Sequence, residues 1–557
     1  MRPTQRFSPR LHGTRWLPAT LPMALLAGLL SACGGSTDQA GVAAVRQGGA
    51  AGAQATAEAT ASTDTAATTG ADPAATDAGT ASADATTVRR AAQGAPVPPS
   101  PQANAAGTAL TSTAAGFIDT ANPFFVPMGN GRSCASCHAE NSGWSVTPNQ
   151  LRLRFAASAG ADPVFRPVDG ANSPAAPVAT LDQKRVAYSM LLTKGLIRVG
   201  QAMPANAEFT LVRADDPYGY ASAKELSLFR RPLPSTNLKF ISTIMWDARE
   251  SRSVAAGTAG ASCILNANPA QCYASVDSGL LTQAGDAVRG HAEAARDLTA
   301  AEQRAIVDFE AGLITAQLTS GAAGNLAEAG ATGGPAALSA QAFYFGINDL
   351  EAGDYRTRAT FNRNAMTMFG AWRNLDAPAP ARPAPGQRPP AQPAQATAQN
   401  VARASIARGE QLFNNRPFTI NRVAGFTDQL RVPNRVTCSS CHSAPNAGSH
   451  STPLLVDIGV SDARVRTPDM PLYTLRNTAT GETVDTTDPG LAMQTGRWRD
   501  IGRMKVPTLR ALSSRAPFFH NGSQADLAGV VRFYDRRFQI GLTQQEVADL
   551  SAFLRAL

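Results

Sequence analysis

The strongest constraint in this sequence is a short pattern that occurs twice, as Ser133-Cys134-Ala135-Ser136-Cys137-His138 and as Thr437-Cys438-Ser439-Ser440-Cys441-His442. Two cysteines three apart, with a histidine directly after the second, fit covalent attachment of a c-type haem. Each thiol adds to a vinyl group, and the imidazole reaches the iron from the same turn. Zinc would need a fourth ligand and a partner pair nearby, which neither motif has. A thioredoxin-like redox pair would want a βαβ context that is missing here. The chain is therefore read as carrying two covalently bound haem c groups, on Cys134, Cys137 and His138, and on Cys438, Cys441 and His442.

Such haems are attached outside the cytoplasm, and the N-terminus agrees. Arg2, Arg6, Arg10 and Arg15 precede the apolar run Leu21 to Leu30, which is too short to span a bilayer and reads as an export signal over residues 1–32. Leu30-Ser31-Ala32-Cys33 resembles a bacterial lipobox, so Cys33 is expected to carry lipid and to tie the protein to a periplasmic membrane face, that of the outer membrane. Loss of those four arginines takes the formal net charge from +8 to +4, which removes any case for a nucleic-acid partner. In an oxidising compartment Cys263 and Cys272, bracketing a short loop, are expected to form a disulfide.

Residues 33–115 are almost wholly Ala, Thr, Gly, Ser and Asp, with little to bury, and are expected to be a disordered tether. Seven prolines between Asp376 and Ala396 mark a connector over 376–400. This leaves a first haem domain with insertions at 116–375 and a second at 401–557. Between the breaks, capping boxes at Thr299/Glu302 and Thr543/Glu546 open amphipathic patterns. Strand-like alternation is scarce, so the expected fold is mainly α: two cytochrome c-like haem domains with long loops.

The sixth iron ligand separates an electron-transfer haem from one that binds a small molecule. The chain has six histidines, with none between His138 and His291, so the first haem is expected to be open unless Met128, Met190, Met203 or Met245 closes it. For the second haem the candidates are His450, His520, Met470, Met493, Met504 and Tyr534. Leu527, Val530, Val531 and Tyr534 fall on one helical face, which places the phenol inward.

Together with Ile244 to Glu250 (IMWDARE) and Lys505 to Gly522 (KVPTLRALSSRAPFFHNG), the two motifs resemble the bacterial di-haem cytochrome c peroxidases and the related tryptophan tryptophylquinone maturase. The resemblance implies that Trp246 relays electrons between the haems, and that Glu293 is the distal acid–base group of the first. His291, two residues earlier, either lines the same pocket or lies at the surface. Tyr534 falls where the peroxidases carry an axial methionine and the maturase a tyrosine; His450 is the second choice. His520 is expected near the second haem rather than on its iron. The family's inter-haem calcium draws on two residues replaced here by Arg231 and Arg515, which speaks against calcium.

The function expected on this resemblance is reduction of hydrogen peroxide at the first haem, with electrons arriving through the second from a small periplasmic cytochrome c or copper protein. The competing readings are maturase-like oxidation of a protein or organic substrate, a non-enzymatic electron-transfer lipoprotein, and a di-haem dioxygenase.

Overall fold

The computed structural model describes residues 94–251, 269–377, 396–427 and 434–557. The signal segment, Cys33, Cys263, the Cys272 side chain and most of the Pro-rich connector lie outside the described residues. Both expected capping boxes form. Thr299 and Glu302 start the helix Ala300–Ala311, and Thr543 and Glu546 start Gln544–Arg555; in each the threonine hydroxyl takes the N3 amide and the glutamate reaches back to the cap amide. Such caps are typically worth ~1 kcal/mol each.

Around the second motif, Ala398–Asn415 packs on Gln544–Arg555, with Gly409 against the Asp549 backbone and the Phe553 side chain. Ile406, Phe413, Val547, Leu550, Phe553 and Leu554 form the contact, and Leu527–Phe538 adds Leu527 and Val531. Around the first motif the core is aromatic, with Trp144 packed edge-on to both Phe124 and Phe309 beside Ile306 and Leu313.

The mainly α expectation is corrected. Among the described residues 31% are helical and 17% are in strands, spread over several small sheets. The pattern from Thr299 onward reads as a single helix, yet the helix stops at Ala311 and Leu313–Ser320 is a strand. Its partner is Gly107–Thr113, within the stretch expected as tether, in a four-stranded antiparallel sheet. Phe209–Asp215 likewise pairs with Leu472–Asn477, bringing segments from either side of the Pro-rich stretch into one sheet. The strands are short, two to eight residues, and the two longest pairings join segments two hundred or more residues apart, so local alternation could not reveal them. No helix among the described residues is long and apolar enough to cross a membrane.

One buried ion-pair cluster ties these parts together. Arg230, at the end of the strand Leu226–Arg230, gives Nε and Nη2 to the two oxygens of Asp488 at 2.7 and 2.8 Å, and Nη1 to Asp247 at 2.6 Å. All three side chains are almost completely buried. Burial raises the Asp247 pKa, but Arg230 and Arg249 outweigh it and hold the carboxyl well below its usual range. Removing one partner of such a group leaves a naked buried charge, at a cost of about 3–5 kcal/mol. Asp488→Asn and Arg230→Met are each expected to lower stability by that order in denaturant unfolding of the haem-loaded protein, whereas Arg185→Met, in an exposed pair with Asp182, should change it by less than about 1 kcal/mol.

Candidate haem centres and the wall between them

Each motif forms a short helical turn. Cys134–Ser136 is capped by Ser133 and Cys438–Cys441 by Thr437, and in both the histidine amide bonds back to the carbonyl of the first cysteine, at 2.9 and 3.1 Å. The imidazoles are oriented alike. His138 Nδ1 lies 3.0 Å from the Trp144 carbonyl and His442 Nδ1 lies 2.5 Å from the Gly448 carbonyl. A carbonyl only accepts, so Nδ1 carries the proton and Nε2 keeps its lone pair. Burial pushes both rings down to about 4, so both are neutral donors. A histidine whose other nitrogen donates to a carbonyl is the usual form of a metal ligand.

The four cysteines are free and half-buried, and desolvation pushes their pKa values up. Each pair lines a large cavity with mostly apolar walls. The first holds Cys134, Cys137 and His138, and the second Cys438, Cys441 and His442. Lys505 lines both. It is buried, its ammonium donates to the Thr243 carbonyl at 2.5 Å, and burial pushes its pKa down to about 7. A buried cation with only a carbonyl as partner is costly, and a group carrying carboxylates in the adjoining cavities would supply the missing charge. Haem, an apolar macrocycle with two propionates, fits the walls, the nitrogen ligands and this cation.

Trp246 lines both cavities. Its indole N–H donates to the Arg231 carbonyl at 2.8 Å, and its ring stands edge-on to His520 at 6.2 Å. The residue after it is Asp247, so the buried Arg230 cluster fixes the turn that carries the indole. His520 lines the second cavity; burial pushes its pKa down to about 4, and its Nδ1 has no partner among the described residues.

Of the candidates for the second iron, Tyr534, Met504 and His520 line the second cavity, whereas Met470 and Met493 do not. Tyr534 lies on the helix Leu527–Phe538, its hydroxyl without a hydrogen-bond partner among the described residues, and burial pushes its pKa up. His450 lines neither cavity. It is buried, with Nδ1 beside Thr452 and Nε2 without a hydrogen-bond partner among the described residues.

At the first cavity the placement differs from expectation. Glu293 is exposed and does not line the cavity; its carboxylate accepts from Asn130 at 2.7 Å. His291 does line it, so the first motif has an imidazole near it after all. Met128 and Met245 line it too, whereas Met190 and Met203 do not. Three lining residues carry no signal in the sequence: Arg132, Asp169 and Glu310. Glu310 is buried on the helix Ala300–Ala311, and burial pushes its pKa to about 7.

Arg231 and Arg515 sit between these parts. The Arg231 guanidinium donates to the carbonyls of Lys194, Val146 and Arg515 at 2.6, 2.7 and 3.0 Å. An arginine fork thus gathers three backbone oxygens. The segment after Leu318 lies against the second motif, with Asn348 on the Ser443 carbonyl, the Gly346 amide on that of Ser451, and the Asn446 amide on that of Ala365.

No family profile matches the chain. Similar proteins are the cytochrome-c peroxidase IdrP1 of Denitromonas iodatirespirans, 32% identical over 136 residues, and that of Pseudomonas sp. (strain SCT), 31% over 140 residues. Each match takes in 22% of this chain and 36% of the relative. The cytochrome c peroxidase Ccp of Escherichia coli (strain K12) is 42% identical over 72 residues, 13% of this chain and 15% of that protein. Over those stretches the chain is similar to bacterial cytochrome-c peroxidases. It spans about a third of the length of the IdrP1 peroxidases it matches.

Two covalent haems per chain are expected by mass spectrometry and pyridine haemochrome assay. The double variant Cys134→Ser/Cys137→Ser should retain one, and a stoichiometry of one in the unaltered protein would contradict the assignment.

Proposed function

We propose that this protein is an exported di-haem c peroxidase that reduces hydrogen peroxide at the first cavity, H2O2 + 2e⁻ + 2H⁺ → 2H2O, with electrons entering through the second. The single observation that carries this reading is Trp246, an aromatic ring built into the wall of both cavities and fixed there by hydrogen bonding and by the adjoining ion-pair cluster. The names of the similar proteins support the same reaction.

Haem bound on Cys134, Cys137 and His138 would supply an open iron and the electrons that break the O–O bond. The chain's own part is to hold, orient and insulate. His138 and His442 present neutral Nε2 atoms, and the apolar walls exclude bulk water. Trp246, held on the Arg231 carbonyl, offers a fixed path for one electron at a time. Tyr534 offers the second cavity an oxygen donor; a cation at that oxygen would reverse the upward push of burial on its pKa. Proton handling falls to the wall of the first cavity near His291, with Glu293 just outside it.

The electron donor fits a small periplasmic cytochrome c or copper protein, and the Cys33 lipobox fits a membrane-tethered form. Calcium is not needed, because the Arg231 fork already holds the carbonyls around it. A second reading, oxidation of a protein or organic substrate, draws on Tyr534 in place of methionine, since an anionic oxygen ligand favours oxidised iron.

Electron paramagnetic resonance of the oxidised protein should give one high-spin and one low-spin haem, with Tyr534→Phe altering only the low-spin signal. Trp246→Phe should slow electron return to the first haem and leave both signals in place. Two low-spin haems inert to peroxide would leave an electron carrier instead. Treatment with EDTA should change neither the spectra nor the peroxide rate.

A further inference from the structure

The turn after the helix Pro269–Gly290 decides which side chain reaches the first cavity. Glu293 adopts a left-handed backbone, φ +49°, and its side chain leaves the cavity for Asn130. The turn is clamped by the loop just before the first motif. Asn130 Nδ2 donates to the His291 carbonyl at 2.9 Å, the Asn130 amide donates to that of Ala292 at 2.8 Å, and Arg132 Nη1 donates to that of His291 at 3.0 Å. Gly129 completes the clamp, since a Cβ there would lie 2.0 Å from the Ala292 carbonyl oxygen. The residues that carry the haem cysteines and the residues that carry His291 are thus held as one piece.

His291 is in turn oriented from behind. Its Nδ1 donates to Asp169 Oδ2, and Asp169 Oδ1 accepts from Arg132 Nη1 at 2.6 Å. Asp169 and Arg132 are both buried, with side chains 8% and 4% exposed, while His291 is 45% exposed on the cavity side of the pair. Arg132 is fixed by the carbonyls of Pro163 and Val164 at 2.8 and 2.6 Å. A carboxylate on Nδ1 settles the tautomer: the proton stays on that side, and Nε2 is left as a base. This is the arrangement by which enzymes hold a histidine for proton transfer.

We propose that His291 is the acid–base residue of the first cavity and that Asp169, braced by Arg132, is its positioning residue, in place of the glutamate two positions later. The inference rests on the peroxidase reading for its substrate, though not for its geometry. His291 Nε2 takes the proton from one oxygen of hydrogen peroxide and returns it to the other, which leaves as water when the O–O bond breaks. The two electrons come from the haems and their one-electron protein donor, and the two further protons come from solvent. The imidazole ends the cycle unchanged.

Cyanide separates this claim from the peroxidase reading, because it arrives as hydrogen cyanide and must give up its proton to a base near the iron. On the haem-loaded protein, cyanide association and peroxide reaction rates are compared for His291→Ala, Asp169→Asn, Asp169→Glu and Glu293→Gln. General acid–base help is typically worth about 10²- to 10⁴-fold. His291→Ala should slow cyanide association by that order, leave the high-spin signal intact, and be partly rescued by added imidazole. Asp169→Asn should give a smaller loss that Asp169→Glu restores in part.

A cyanide rate unchanged in His291→Ala would overturn the proposal. So would conversion of a low-spin first haem to high-spin in that variant, which would make His291 an iron ligand, or a loss carried by Glu293→Gln alone. Slowed cyanide association in a protein that proves inert to peroxide would uphold His291 and reject the peroxidase reading.

Discussion

Everything around the two cavities depends on Arg230. Its guanidinium spends three of its donors on two carboxylates, Asp247 and Asp488, drawn from segments more than two hundred residues apart, in a place with almost no water. A buried pair of this kind is no great source of stability by itself, but it tolerates only one geometry. Because Asp247 follows Trp246 directly, that geometry also sets the indole. Because His520 lies 3.9 Å from Asp488 and its carbonyl accepts from the Arg231 amide at 2.6 Å, it sets the wall of the second cavity as well.

The same junction carries an excess of buried positive charge. Lys505, Arg231 and Arg515 are all pushed down by burial, and for Lys505 the value falls to about 7. Arg231 and Arg515 are satisfied by backbone oxygens, whereas among the described residues the Lys505 ammonium has one carbonyl. That asymmetry is what an anionic prosthetic group would correct. On the proposed di-haem reading, haem binding would then be coupled to folding here by charge as well as by attachment to the cysteines.

The two motifs that line the cavities were legible in the sequence because attachment chemistry fixes residue types at fixed spacing. The capped helices were legible too, since Thr299 with Glu302 and Thr543 with Glu546 act over three residues. The sheets were hidden, because Gly107–Thr113 and Leu313–Ser320 pair across two hundred positions and either strand alone looks like tether or helix. His291 shows the same limit at the site. It is distant from His138 in the chain, yet the clamp formed by Asn130 and Arg132 brings it to the first cavity, and one left-handed residue carries Glu293 away. Asp169 and Arg132 sit in loops with no motif, so their pairing becomes visible only when the chain is folded.

On the proposed reading the two cavities work as one two-electron centre joined at Trp246. Anaerobic titration of the fully reduced protein with hydrogen peroxide, following the absorbance of each haem, puts this to the test. One equivalent of peroxide should oxidise both haems together, one electron leaving each. If the first haem is exhausted at half an equivalent while the second stays reduced, the two do not exchange electrons and Trp246 joins no two-electron centre.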